Sequence, residues 1–181
     1  FYNKGVNEKV LNSNSQDFGY CLGVLHHVTE TQKGIESCFD VLKNNAPFLI
    51  YLYYRFDNKP FWFKIIWKFS DYIRKFISAL PFKIKKVITF IIALLVYLPL
   101  SKLSKIFELC GFNIKNFPLS DYRNKNFYFM ITDSLDRFGT KLEKRFTKKE
   151  IEQMLLKAGF VDIKFSENTP YWVAIAWKRK T

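Results

Sequence analysis

Two stretches decide the fold: Asp17-Phe18-Gly19-Tyr20-Cys21-Leu22-Gly23-Val24-Leu25-His26-His27-Val28, and Val41-Leu42-Lys43-Asn44-Asn45-Ala46-Pro47-Phe48-Leu49-Ile50-Tyr51. Phe18 to Leu25 reads as a buried strand that runs into polar residues. Thr29 to Leu42 carries a helical pattern, and Pro47 to Tyr54 is a second strand rich in aromatic and branched side chains. Strand, helix and strand at this spacing make one βαβ unit of an open parallel sheet. Ligands in such sheets bind outside the carboxyl ends of the strands, so Gly23 to Val28 are expected at the ligand edge.

The wording of these residues resembles the second half of a class I S-adenosylmethionine-dependent methyltransferase. In that family the fourth strand often ends in a Leu-His-His-Val-like sequence, and the next helix closes with a Val-Leu-Lys-Pro-Gly-Gly-like turn into the fifth strand. Leu25-His26-His27-Val28 and Val41-Leu42-Lys43 match, while Asn44-Asn45-Ala46-Pro47 replaces Pro-Gly-Gly. Asn enters left-handed backbone readily, so the turn can survive. The stretch Asp136-Arg137-Phe138-Gly139-Thr140-Lys141-Leu142-Glu143-Lys144-Arg145-Phe146-Thr147 and the closing Pro170-Tyr171-Trp172 look like a bacterial subgroup with an aromatic helical insertion.

The resemblance implies an α/β fold: a Rossmann-like methyltransferase sheet, seen from about its third strand onward, with an inserted helical lid. Its final strand would be antiparallel, slotted between strands five and six. The family wraps the methionine end of its cofactor in a Gly-x-Gly-x-Gly-like loop and holds the ribose with an acidic residue. Neither element stands before Asp17. The expectation is therefore a single methyltransferase domain over residues 1–181, truncated at its N-terminus, with the insertion at residues 55–118. Phe1-Tyr2 is expected to end the third strand, followed by the loose stretch Asn3 to Glu8.

Composition agrees with a folded domain. The chain has 181 residues, 49% of them hydrophobic, which disfavours disorder. Cys21, Cys38 and Cys110 are few, odd in number and without CxxC spacing, so a reducing, cytoplasmic setting is expected rather than a disulfide framework or a zinc site. No Gly-x-Ser-x-Gly elbow or P-loop occurs.

The insertion is the chemically unusual part. Trp62, Ile65, Ile66, Phe69, Ile73, Phe76 and Leu80 recur at helical spacing, with Lys64, Lys68, Asp71 and Lys75 marking the opposite face. Pro81 ends that helix. Ile84 to Leu98 predict a second, apolar helix stopped near Pro99, and Ser101 to Leu109 a third that ends at Gly111. The apolar run Val87 to Leu100 falls short of the roughly 20 residues of a membrane span. Eleven Lys or Arg lie between Arg55 and Lys105, opposed only by Asp57 and Asp71, a net +9 of the chain's +13. Two readings stay open. The aromatic stripe packs as a lid while the lysines are solvated, or the insertion also lies on an anionic membrane surface, peripheral at the inner face. Nucleic-acid binding is disfavoured, since no recognised motif accompanies the basic residues.

Phe127 to Thr132 is a hydrophobic run before a loop, Asp133 to Thr140, expected to return to the sheet edge. Thr147-Lys148-Lys149-Glu150 is a capping box for a helix ended by Gly159. Val161 to Phe165 and Tyr171 to Trp177 are the last two strands, and Arg179 with the terminal lysines is expected to be a solvated end.

Methyl transfer needs donor and acceptor held close and aligned, with a base where the acceptor must lose a proton, and no metal. His26 and His27, the only histidines, are the candidate base or acceptor-orienting groups, or they simply cap the loop and pack on adenosine. Asp136 and Arg137 are candidates to hold a polar substrate group, or they form an internal salt bridge. Tyr122 and Arg123 have the same status, and Tyr53 and Tyr54 could line the acceptor pocket. Leu22, Gly23, Val24, Leu25 and His27 are expected to contact S-adenosylmethionine, with Gly23 allowing close backbone approach. The function expected is methylation of a small hydrophobic acceptor. The alternative is a non-catalytic membrane-surface or partner-binding domain on a degenerate methyltransferase scaffold.

Overall fold

The computed structural model describes residues 5, 6 and 10–179; the expected end of a third strand at Phe1-Tyr2, with Asn3 and Lys4, lies outside them. In chain order the elements are β1 (Gly19–Leu22), α1 (Thr31–Val41), β2 (Pro47–Tyr51), α2 (Phe61–Ala79), α3 (Phe82–Ile92), α4 (Leu98–Leu109), α5 (Phe127–Gly139), α6 (Lys148–Ala158), β3 (Phe160–Phe165) and β4 (Ala174–Lys178). They form two compact units. One comprises Phe1–Asp57 and Leu142–Thr181, the other Asn58–Lys141.

The first unit holds a four-stranded sheet in the order β1-β2-β4-β3. β1 and β2 are parallel, Gly19 opposite Phe48 and Leu22 opposite Tyr51, joined through α1 as a βαβ crossover requires. β4 runs antiparallel to both neighbours, between β2 and β3. That is the arrangement the resemblance implied for the closing strand. The turn before β2 survives the loss of glycine because Asn45 takes φ 63°.

The helices are set by their ends. Thr147 accepts from the Glu150 backbone N–H, and Glu150 accepts from the Thr147 backbone N–H, so the capping box forms at the start of α6. Gly159 ends α6 at φ 103°, where any Cβ would also lie 2.8 Å from the Phe39 ring. One core follows: Ile35, Leu42, Phe48, Ile50, Leu52, Ile151, Leu155 and Phe160 are all essentially inaccessible, with Phe48 and Phe160 stacked at 5.2 Å.

Lys178 departs from the expected solvated end. It is 7% exposed, and its ammonium donates to Asn14 Oδ1 and to the carbonyls of Phe39, Asp40 and Leu42. The last carbonyls of a helix need donors from outside it, and here β4 supplies one to α1.

The second unit is all helical, and two expectations change there. Pro99 does not stop a helix. The backbone is helical from Phe82 to Leu109, long and apolar enough by composition to cross a membrane, with a wider π turn at Ala93–Tyr97. The Leu98 N–H bonds the Ala93 carbonyl, and this looser turn takes up the ring and missing N–H of Pro99 without breaking the rod. The other change is at residues 127–139, which form α5 rather than a hydrophobic run and a loop. Asn126 caps it by accepting from the Phe129 N–H, and Met130, Ser134 and Phe138 form its buried stripe at helical spacing. The unit is thus Asn58–Lys141, where the sequence set an insertion at 55–118.

Candidate functional site

The carboxyl end of β1 is where the sequence places the candidate site. Gly23 closes the strand at φ 71°, with its N–H held by the Tyr51 carbonyl at 3.0 Å. That conformation suits glycine, and among the described residues an added Cβ would meet only His26 Cε1, at 4.0 Å. The chain then winds through a short 3₁₀ turn, Leu25–His27.

The turn separates the two histidines. His26 is inaccessible, stacked on Tyr53 at 3.7 Å and against His27 at 4.1 Å. Neither of its ring nitrogens has a hydrogen-bond partner among the described residues. Burial first, then the charges of His27 and Arg145, pushes its pKa down to about 3, so it is neutral near pH 7 and a poor proton acceptor. His27 is half-buried, and its Nδ1 lies 2.8 Å from the Leu142 carbonyl. A carbonyl only accepts, so Nδ1 carries a proton, and in the neutral ring the lone pair falls on Nε2.

The segment after α5 builds the far wall. The Lys144 N–H donates to the His26 carbonyl, and the Phe146 N–H to the Tyr53 carbonyl. Arg145 reaches over this wall, 5.2 Å above the Tyr53 ring and 5.0 Å above Phe56. Its Nε pairs with Glu143 at 2.8 Å, with both side chains nearly buried. Arg145 and Glu143 were not singled out in the sequence, although both stand in the stretch that resembled the family. Only a contact across 90 residues of chain reveals their place.

The expected cofactor-contact residues divide. Leu22 and Val24 are about half exposed, while Leu25 is fully buried, its carbonyl taken by the Thr31 hydroxyl. A glycine Cβ built at position 34 would strike Leu25 Cδ2 at 2.6 Å, which shows how tightly that side chain is packed in the core. Tyr53 joins the histidines, and Tyr54 pairs with Phe146 in an isolated parallel bridge.

Asp136 and Arg137 do not sit in a loop at the sheet edge, as expected; they lie on α5 in the second unit, because the helical stripe of residues 127–139 carries them. Arg137 donates to Ser70 Oγ and lies over the Phe138 ring. Tyr122 donates to Asp133, which Tyr97 also bonds, and burial raises the Asp133 pKa. Arg123 pairs with Glu108 through two hydrogen bonds.

No family model matches the chain, and no curated protein matches it. Solved structures do. One is an S-adenosylmethionine-dependent methyltransferase from Thermotoga maritima described as a possible histamine N-methyltransferase, at 11% identity and TM-score 0.45, covering 98% of this chain and 62% of that one. Another is an S-adenosylmethionine-dependent methyltransferase from Methanosarcina mazei, at 13% identity and TM-score 0.47, covering 98% and 66%. Human N-acetylserotonin methyltransferase in complex with S-adenosylmethionine matches at 12% identity and TM-score 0.47, covering 100% and 34%. The chain resembles class I methyltransferases. It spans less than two thirds of the length of each of these three. Within its own residues the strand order, with β4 antiparallel between β2 and β3, carries the assignment of the fold.

Proposed function

We propose that the protein is an S-adenosylmethionine-dependent methyltransferase acting on a small hydrophobic acceptor, with Gly23 to His27 forming one edge of the cofactor site. The observation that supports this best is the left-handed turn at Gly23, followed at once by an oriented His27, at the carboxyl end of a parallel strand. A glycine at position 23 fits a ligand passing close to backbone, and Leu22 and Val24 offer it apolar surface.

Bound S-adenosylmethionine would supply an electrophilic methyl group. The chain's own residues would do the rest. Nε2 of His27 would take the proton of a hydroxyl or amine acceptor, with Nδ1–H fixed on the Leu142 carbonyl. Tyr53 and the neutral ring of His26 would make an apolar wall behind it, consistent with a hydrophobic acceptor. Asp136 and Arg137 would serve the packing of the helical unit.

Amide chemical shifts of the labelled chain during titration with S-adenosylmethionine test the reading. Shifts at Leu22, Gly23, Val24 and His27, with those of Asn58–Lys141 unmoved, are expected even for weak binding. No shift at saturating cofactor, or shifts confined to Asn58–Lys141, would leave a non-catalytic scaffold instead.

A further inference from the structure

We propose that the outer face of α2 docks on an anionic phospholipid membrane, lying in its interface rather than crossing it. This rests on the helical unit alone and is independent of the methyltransferase reading.

The helix is inverted. At 100° per residue, Phe61, Ile65, Phe69, Tyr72 and Phe76 fall within an arc of about 80°. All of them are exposed, Phe69 at 67% and Phe76 at 70%. The buried side of the same helix carries Arg74, Ile77 and Ser78. Arg74 is satisfied there by Asp71 at 2.7 Å and by the Thr140 carbonyl. A helix folded for water does the reverse.

The neighbouring rod repeats the pattern. Thr89, Ala93, Tyr97, Ser101 and Ser104 are buried, while Val87, Ile91, Leu94, Leu95 and Ile106 are exposed. Its seam to α5 sets polar contacts beside an apolar cluster of Ala93, Met130 and Phe138: Ser134 Oγ donates to the Thr89 carbonyl, and Tyr97 and Tyr122 donate to Asp133. Buried hydroxyls along the seam, with large apolar residues exposed outside, suit a hydrocarbon surrounding.

Size and charge choose the occupant. At roughly 150–250 Å² per aromatic side chain, the exposed aromatics of α2 alone present on the order of 700 Å², above the largest patch of an ordinary monomer. Lys64, Lys68 and Lys75 line one flank of this arc within about 40°. The unit carries fifteen Lys and Arg against five Asp and Glu, a net +10. A second copy would bring +10 against +10. An anionic bilayer accepts both the rings and the lysines. Crossing is opposed by charge, not by the length of the rod: Lys86 and Lys102 bracket the uncharged run Val87 to Ser101, about 22 Å of helix against about 30 Å of hydrocarbon.

Flotation with vesicles tests it, using pure phosphatidylcholine and an equal mixture with phosphatidylglycerol. The whole chain should float with the mixture at low salt and be released by high salt. At about 1 kcal/mol, or about fivefold, per lysine, the triple variant Lys64→Gln, Lys68→Gln, Lys75→Gln should bind about a hundredfold more weakly. Phe69→Ser with Phe76→Ser should also lose binding while unfolding at the wild-type temperature, since both rings are exposed. Indifference of the wild type to mixed vesicles would overturn the proposal. So would a concentration-dependent dimer abolished by the two Phe→Ser changes, which would assign the face to a second copy. Retention on the vesicles after high salt and alkaline carbonate would overturn the interfacial placement.

Discussion

The two units solve opposite problems with the same kinds of residue. In the sheet unit the aromatic and branched residues are inside: Phe48, Ile50, Leu155 and Phe160 are inaccessible, and the few enclosed charges are matched, Lys178 to carbonyls and Arg145 to Glu143. In the helical unit Arg74, Thr89, Ser101 and Ser104 are inside and Phe61, Phe69 and Phe76 outside. Burial of apolar area at about 25 cal/mol per Å² holds the first together. The second has a smaller apolar cluster of Ile77, Ala93, Tyr97, Met130 and Phe138, and adds hydrogen bonds and an ion pair beside it, each worth little net and costly to orphan. Amphipathicity alone therefore does not say which side of a helix meets its neighbours.

Mutation should show the contrast most strongly at Phe160. Phe160→Ala leaves a cavity among Phe39, Phe48 and the sheet, and about 3–5 kcal/mol of stability should vanish in denaturant unfolding. A loss under 1 kcal/mol would break the comparison from the sheet side. Next is Arg74→Ala, which strands the Thr140 carbonyl and half-strands Asp71, and should cost about 1–3 kcal/mol. If it is neutral, the polar seam does not hold the helical unit.

His26 gives a pH signature that is absent near neutral pH and grows as the pH falls. Its pKa falls from 6.5 to about 3 on folding, so the unfolded chain takes up the proton first as pH drops. Its contribution is fully present above pH 6.5 and is lost toward pH 3, by up to about 1.4 kcal/mol per unit. His26→Phe keeps the stack on Tyr53 and should flatten the stability curve across that window. An unchanged slope would mean that His26 titrates normally.

The smallest effect is expected at Phe69. Phe69→Asp in the absence of lipid should change stability by about 0.5 kcal/mol or less, because the ring is exposed. Unfolding of the helical unit would show the stripe to be a covered face after all.

The sheet side was legible because its signals are local. The βαβ pattern, the Thr147–Glu150 box and Gly159 each depend on residues within a few positions, and the structure has all three. The antiparallel placement of β4 came from the resemblance, not from the pattern of its residues. What escaped depends on distant partners. Pro99 reads as a stop until a π turn accommodates it, and Lys178 reads as a tail until the carbonyls ending α1 claim it. Residues 127–132 read as a bare apolar run, although Phe127, Met130, Ile131, Ser134 and Phe138 together have helical spacing. At the site, Gly23 and the histidine pair were visible. Which histidine is buried and which is half-exposed and oriented was not, since that follows from the Leu142 carbonyl and the Tyr53 ring.

Paramagnetic quenching of amide signals by spin-labelled lipid, on the whole chain with anionic bicelles, tests the central contrast most directly. Attenuation should centre on Phe61 to Phe76, whose exposed rings would meet the lipid, and spare Phe48 and Ile50, buried in the core of their own unit. Uniform signals throughout, or quenching centred on Gly23 to His27, would contradict the account.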